Sequence, residues 1–295
     1  MKRSRSLAQK REVAAAFVFL APNLIGFLAL TAIPVLASFV LSFFDWKLLA
    51  PPHFIGLANF KELFSDPLFW KSTVNTAFFV FVKVPLTVII ALVLAIILNR
   101  KMLGRDLFRT ILFLPVICSS VSVALIWQPL FDQSSGLLNQ ILHFFGSKGL
   151  PWLTSTFWAM PSVIGVAIWK EVGYVMVIFI AGLQGISKTY YEAARVDGAN
   201  AFQEFFKITL PLISPTTFFV LVTSIIGAFQ VFDLTSVLTQ GGPGNATNTL
   251  VMYIFQSAFR NFRMGYASAM AMALFLLILA LTVVQNQSSK RWVQE

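Results

Sequence analysis

The sequence predicts an all-α, polytopic membrane protein with six transmembrane helices. Of its 295 residues, 57% are hydrophobic and only 12% are charged, which is about half the charged fraction of ordinary soluble domains. Long stretches without charged residues recur along the chain, and each can supply the roughly 20 apolar residues that cross a bilayer core. The alternation of apolar and polar residues typical of a membrane β-barrel is absent from the sequence.

The apolar segments are predicted to form six separate spans. The first follows a basic N-terminus and begins like a signal peptide, but its apolar part is too long for one, so we expect a retained helix. The predicted spans are residues 13–44, 72–99, 110–131, 156–183, 216–238 and 264–286.

The distribution of Lys and Arg predicts that both termini are cytoplasmic. Fourteen of these residues lie in the N-terminus, the loops 99–109 and 184–215, and the C-terminal tail, whereas the alternate loops hold six. Basic residues are enriched in cytoplasmic loops. The same enrichment explains the formal net charge of +10, so we expect no nucleic-acid partner.

Residues for catalysis, metal binding or nucleotide binding are not arranged in any recognisable motif. Cys118 is the one cysteine, and His53 and His143 are too far apart in sequence to indicate a metal site. A GxxxxGK[ST] phosphate-binding loop is missing, and the Gly-rich segment 241–245 indicates a turn. We therefore expect no catalytic residue, metal or cofactor in this chain.

The loop between the fourth and fifth spans begins with a predicted short helix. Thr189 and Glu192 have the spacing of a capping box at its start. Gly198 can adopt the left-handed conformation that ends it. A further interpretation of Glu192 is an ion pair with Arg195, three positions on. Asp197 lies near the C-terminus of this helix, where a negative charge needs a compensating partner.

A second short helix is predicted after the turn. Asn200 is a plausible N-cap, with Gln203 at the supporting position. Pro211 and Pro215 are predicted to stop this helix before the next span.

This loop resembles the EAA coupling loop of the inner-membrane permease subunits of ABC importers. Segments such as Phe54-IGLANF-Lys61 and Leu238-TQGGPGNAT-Asn248 resemble the carbohydrate-uptake branch, of the maltose and glycerol-phosphate type. The loop residues that match the motif are Glu192, Ala193, Ala194, Asp197, Gly198, Ala199, Leu210, Pro211 and Pro215.

The resemblance implies a type I permease fold, with residues 71–286 as the permease core and 184–215 as its coupling loop. Residues 1–70 would hold the N-terminus, first span and external loop, and 287–295 a cytoplasmic tail. The implied partners are a homologous permease, two ATPase subunits or an ATPase homodimer that binds ATP and Mg, an extracytoplasmic solute-binding protein, and membrane lipid. The implied location is the bacterial cytoplasmic (inner) membrane, and the implied solute is a sugar or polyol.

Charged residues inside the spans are costly in a bilayer and indicate a partner or a water-filled path. Lys83 and Glu171 could form an interhelical pair, or they could line the solute path; the sequence leaves both open. Flanking aromatic residues could stack on a sugar or pack between spans. The residues predicted for a translocation path are Lys83, Trp169, Lys170, Glu171, Tyr174 and Asp233.

Two other functions remain open at this point. An ion-driven secondary transporter could use Lys83, Lys170 and Glu171 as a relay, although no inverted repeat is visible. A membrane scaffold without transport activity is the second alternative. The Gly-rich segment 241–245 and the following segment 248–262 are expected to form an external ledge for a binding protein.

Overall fold

The structure is a computed structural model that describes residues 7–100, 102–290 and 292. Five of the fourteen Lys and Arg residues that predict the orientation of the chain lie outside the described residues: Lys2, Arg3, Arg5, Lys101 and Arg291. Within the described ranges the chain is almost entirely helical, with one pair of two-residue strands, β1 (Phe44–Asp45) and β2 (His53–Phe54). The helices are α1 (Leu7–Phe27), α2 (Ile33–Leu41), α3 (Ala58–Ser65), α4 (Pro67–Asn99), α5 (Arg105–Ile117), α6 (Ser120–Leu130), α7 (Leu137–Phe144), α8 (Ala159–Gly185), α9 (Lys188–Val196), α10 (Ala201–Glu204), α11 (Leu210–Leu212), α12 (Ser214–Phe229), α13 (Asp233–Leu238), α14 (Leu250–Phe255) and α15 (Met264–Ser289).

The chain divides into two compact units, each described here by itself. The first unit runs through the N-terminal helices to Ser65 and includes Ser257–Ala273. A π-helical turn joins α1 to α2, so that Ala15–Leu41 forms one apolar span whose side chains are largely uncovered. The β1–β2 pair then reverses the chain, and the Asn59 amide donates to two backbone carbonyls on the β1 side of it.

The second unit comprises Asp66–Gln256 and the chain from Leu274 onward. Its central element, α4, begins where the Asp66 carboxylate accepts a hydrogen bond from the Leu68 amide and Pro67 occupies the first turn. Packing of α4 against α8 buries Phe79 and Phe179 among β-branched and Met side chains. This packing fixes the relative position of the residues that line the intramembrane cavity.

Five described helices are long and apolar enough to cross a membrane, and a bent pair raises the number to six. The six-span prediction is therefore supported, but the third span is not one straight helix. α5 and α6 meet at an angle of 101°. The Ser119 hydroxyl accepts from the Ser122 amide and caps α6, which explains why a new helix begins inside the predicted 110–131 segment.

The fifth predicted span, 216–238, is also interrupted. α12 ends at Phe229, and α13 begins at Asp233 after three residues outside the helices. Non-helical backbone at membrane depth is tolerated where it is buried in protein or lines a cavity. The interruption lies beside a cavity, described below.

Candidate functional site

The first helix of the loop between the fourth and fifth spans, α9, begins two residues earlier than the capping prediction required. Ser187 is the N-cap, and its hydroxyl accepts from the Thr189 amide at 3.4 Å. The prediction of a Thr189–Glu192 capping box is therefore wrong. Glu192 lies inside the helix and is exposed, with no role in its cap.

The turn after α9 has the predicted left-handed glycine. Gly198 has φ = +78°, its amide donates to the Arg195 carbonyl at 3.1 Å, and the Ala199 amide donates to the Ala194 carbonyl at 2.8 Å. This pair of bonds is the Schellman motif, which satisfies the last carbonyls of a helix. The left-handed glycine is thus confirmed, and it redirects the chain into α10.

The second helix of the loop begins at the predicted cap. The Asn200 side chain accepts from the Gln203 amide, and the Gln203 side chain accepts from the Asn200 amide, both at 2.9 Å. The prediction that the next prolines stop this helix is wrong. A π-helical turn, Phe205–Thr209, continues it into α11, and Pro211 and Pro215 lie in the first turns of α11 and α12.

Two contacts brace the halves of the loop against each other. The Arg195 guanidinium donates to the Glu204 carboxylate at 2.8 Å, so the ion pair that Arg195 forms among the described residues is with Glu204 and not with Glu192, the alternative interpretation. The hydrogen bond with Glu204 and its negative charge raise the pKa of the Arg195 side chain. Tyr191 and Thr209 join their hydroxyl groups at 3.0 Å. Because both contacts cross the turn, they hold α9 against the second helical segment.

The outer surface of the loop combines small residues with exposed aromatic rings. A shallow cavity lies along Ala194, Asp197, Gly198 and Ala199. Phe202 is 71% exposed and packs against Phe206 with tilted rings whose centroids are 4.4 Å apart. The predicted compensating partner of Asp197 is not found, since its carboxylate has neither a hydrogen bond nor an ion pair in the described chain.

A second cavity, of about 310 Å³, lies inside the second unit at the depth of the charged residues in the spans. Residues of α4, α8 and the α12–α13 interruption surround it. It brings together five of the six residues predicted for the path, all except Trp169. The polar residues that line it are Lys83, Ser120, Lys170, Glu171, Tyr174, Gln230 and Asp233.

Lys83 and Glu171 form the predicted interhelical ion pair. The Lys83 ammonium donates to the Glu171 carboxylate, whose other oxygen accepts from the Ser224 hydroxyl at 3.3 Å. Lys83 is 3% exposed and Glu171 32% exposed, so the carboxylate is the more accessible member of the pair. Lys83, Glu171 and Ser224 form a triad that connects α4, α8 and α12, three helices that are far apart in the sequence.

The other predicted path residues separate into two groups. Lys170, Tyr174 and Asp233 line the cavity, and no hydrogen bond or ion pair joins their side chains to the described ranges of the chain. Trp169 lies outside the lining and packs edge-on against Trp127, with ring centroids 5.4 Å apart. Aromatic packing between spans therefore accounts for Trp169. Sequence reasoning missed Gln230, because no Gly or Pro signals the helix interruption where it lies.

The segment after α13 forms a rigid turn, as its Gly-rich sequence predicts. Gly241, Gly244 and Asn245 have positive φ, and the Gly242–Pro243 peptide is cis. The Lys71 ammonium donates to the Gly244 carbonyl at 2.7 Å, and the Asn75 amide donates to two further carbonyls of this segment. The contacts from α4 were not foreseen, because the residues are about 170 positions apart.

Comparison with known proteins identifies the class to which this architecture belongs. Residues 83–294 match the family described as binding-protein-dependent transport system inner membrane component. The chain belongs to this family. It is 41% identical to the probable ABC transporter permease protein YesP of Bacillus subtilis, over 99% of this chain and 95% of that protein. It is 34% identical to the lactose transport system permease protein LacF of Rhizobium radiobacter, over 97% and 98% of the two chains.

Solved structures give the same classification. A chain in the crystal structure of a bacterial alginate ABC transporter, in complex with an alginate pentasaccharide-bound periplasmic protein, matches with a TM-score of 0.86. The two chains are 25% identical, and the match covers 98% of each. The fold is therefore that of an ABC importer type I permease, as the resemblance implied.

Family membership settles the general function. The chain is a multi-pass permease subunit of the inner membrane, a transport component that works with a binding protein rather than an enzyme. This conclusion decides against the ion-driven transporter and the membrane scaffold. Among the described residues no group of His, Cys, Asp and Glu could hold a metal ion.

Proposed function

We propose that this permease imports a sugar or polyol-type solute, and that the intramembrane cavity is part of the solute's path. The observation that carries the proposal is the set of polar side chains around the cavity whose hydrogen-bonding capacity is unused. Lys170, Tyr174 and Asp233 could all bind hydroxyl groups there. A volume of about 310 Å³ is at the lower end of the range for small-molecule sites.

The names of the relatives support the assignment to sugars. One relative is a lactose permease subunit, and another, 35% identical over 91% of this chain, is the sulfoquinovosyl glycerol permease SmoG of Agrobacterium fabrum. A homologous permease would complete the path, and an external binding protein would deliver the solute.

The coupling loop, residues 184–215, is proposed to contact a separate ATPase subunit that binds ATP and Mg. Its exposed Phe202, its small-residue surface and the unpaired carboxylate of Asp197 support this assignment. The ATPase would receive these groups in a cleft and transmit its closure to α8 and α12, which flank the loop.

The coupling role can be tested at Gly198. A Cβ added there would meet no atom within 4 Å, so Gly198→Val acts through its positive φ and through bulk on the outer surface. Gly198→Asn is the matched control, because Asn tolerates the left-handed conformation while also adding bulk. The complete importer is reconstituted, and ATPase association is measured with ATP hydrolysis stimulated by solute-loaded binding protein.

We expect Gly198→Val to lose stimulated hydrolysis while the subunit still reaches the membrane and pairs with its homologue. Recovery in Gly198→Asn would show that the turn conformation matters, and failure of both variants would show that the outer surface must stay smooth. Normal association with fully stimulated hydrolysis in Gly198→Val would contradict the coupling role.

The proposed orientation places both termini in the cytoplasm. It is supported by the fourteen basic residues assigned to one side against six on the other. A reporter active only in the cytoplasm, fused after Glu295, is expected to be active. An export-dependent reporter at the same position is the paired control, and its activity would contradict the proposed topology.

A further inference from the structure

The cavity contains one ammonium group, that of Lys170, which has no ion-pair partner among the described residues. Its charged lining residues are Lys83, Lys170, Glu171 and Asp233. Lys83 and Glu171 neutralise each other through their ion pair. Asp233 is exposed at the start of α13, where water can solvate its carboxylate. Lys170 remains, inside the membrane-spanning helix α8 and without a hydrogen-bond or ion-pair partner in the residues described.

An ammonium group without an ion-pair partner inside a membrane-spanning helix is energetically unfavourable. Such groups in membrane proteins commonly mark a substrate or ion pathway. A neutral hydroxyl group can accept a hydrogen bond from Lys170 but leaves its charge in place. An anionic group would remove the imbalance.

The neighbouring residues are placed to hold the rest of a sugar. Tyr174 is four positions after Lys170, so both lie on the same face of α8. Tyr174 is 44% exposed and offers a ring face and a hydroxyl group. The Gln230 amide lines the same cavity from the helix interruption and adds donors and an acceptor. The cavity thus places the Lys170 ammonium group beside an aromatic ring and an amide group, both of which can contact the hydroxyl groups of a sugar.

We infer that Lys170 binds an anionic group on the solute, so that the permease is selective for acidic sugars, such as those with a carboxylate or sulfate. The inference rests on the proposed function of the cavity. The Lys83–Glu171–Ser224 triad holds the wall beside Lys170 and makes no ion pair or hydrogen bond with it.

The test uses the purified complex of both permeases and the ATPase in lipid nanodiscs, without binding protein. Calorimetric titration compares glucuronate and galacturonate with their neutral methyl esters, and glucose 6-sulfate with glucose. Wild type is expected to prefer the acids, and added salt should weaken binding of the acids selectively. Lys170→Met should reduce the preference by about 10- to 100-fold, the range expected for loss of a charge-assisted hydrogen bond.

Three variants separate charge recognition from general damage. Lys170→Arg keeps the charge and should keep the preference. Lys148→Met removes an exposed charge outside the cavity and should bind like wild type. Tyr174→Phe should weaken acids and esters alike. Equal binding of acids and esters, binding of none of the acids, or an unchanged preference in Lys170→Met would overturn the inference.

The same preparation distinguishes this inference from the proposed function. Solute-loaded binding protein is added, and ATP hydrolysis is measured. Stimulated hydrolysis without a preference for acids would overturn the selectivity of Lys170 and leave the importer function standing. Hydrolysis that never responds to the loaded binding protein would overturn the proposed function itself.

Discussion

The coupling loop and the intramembrane cavity are built in opposite ways. In the loop, the helix caps are built from side chains that bond to backbone groups two or three residues away, as Ser187, Asn200 and Gln203 do. Around the cavity, Lys83 contacts a residue 88 positions away, and Ser224 contacts one 53 positions away. The shape of the loop therefore depends on contacts within the loop, whereas the cavity depends on how three separate helices pack. This contrast is the one expected if the loop has the proposed coupling role and the cavity the proposed role in the solute path.

The largest effect is expected where two helix backbones touch beside the cavity. A Cβ at Gly173 would lie 2.0 Å from the Leu112 carbonyl oxygen, so Gly173→Ala must separate α5 from α8. The expected cost is about 3 kcal/mol or more, since a backbone atom cannot move aside like a side chain. Gly165→Ala in the same helix meets no atom within 4 Å and is the matched control. The yield of monodisperse complex is the measurement.

Equal assembly of the Gly173→Ala and Gly165→Ala variants would contradict the view that the cavity depends on helix packing more than the loop does. In that event, close packing of α5 on α8 would not be needed to form the cavity wall.

A smaller loss of stability is expected from substitutions in the Lys83–Glu171 ion pair, and the loss should differ between the two residues. Glu171→Gln removes the countercharge of Lys83, which is almost fully buried, and is expected to cost about 3 kcal/mol of stability. Lys83→Met leaves a carboxylate that is 32% exposed and can be hydrated from the cavity, so it should cost less. The double variant should lose less than the sum of the two. Thermal unfolding of the detergent-solubilised complex gives the three values.

Strictly additive losses would show that Lys83 and Glu171 do not act as a pair. Equal losses in the two single variants would contradict the difference in burial and imply that both charges are equally cut off from water.

Features that depend on local contacts could be predicted from the sequence more fully than features that depend on long-range contacts. The turn at Gly198 and the cap at Asn200 were predicted correctly, because both depend on residues within a short window. The Lys83–Glu171 pair was foreseen from equal depth in two spans. The contacts of Lys71 and Asn75 with the turn after α13 could not be foreseen, since the fold alone brings them together.

The errors have specific physical causes. Ser187 and Thr189 can each cap a helix, and the spacing of Thr189 from Glu192 favoured the wrong one. Arg195 pairs with Glu204 because the turn at Gly198 brings α10 beside α9, a proximity that helical spacing alone does not reveal. The interruption between α12 and α13 has no Pro or Gly among its residues 230–232.

The smallest effect is expected at the start of α9, and it decides which residue caps the helix. Ser187→Ala removes the side chain that accepts from the Thr189 amide, and the helix should lose about 1 kcal/mol. That loss corresponds to roughly a fivefold increase in amide hydrogen exchange across Lys188–Val196. Glu192→Ala lies outside the cap and should leave exchange in this segment unchanged. If Glu192→Ala raised exchange as much as Ser187→Ala, Glu192 would stabilise α9 itself. If instead Glu192→Ala altered only stimulated ATP hydrolysis, its carboxylate would act on the partner subunit, which is the role that its exposed position favours.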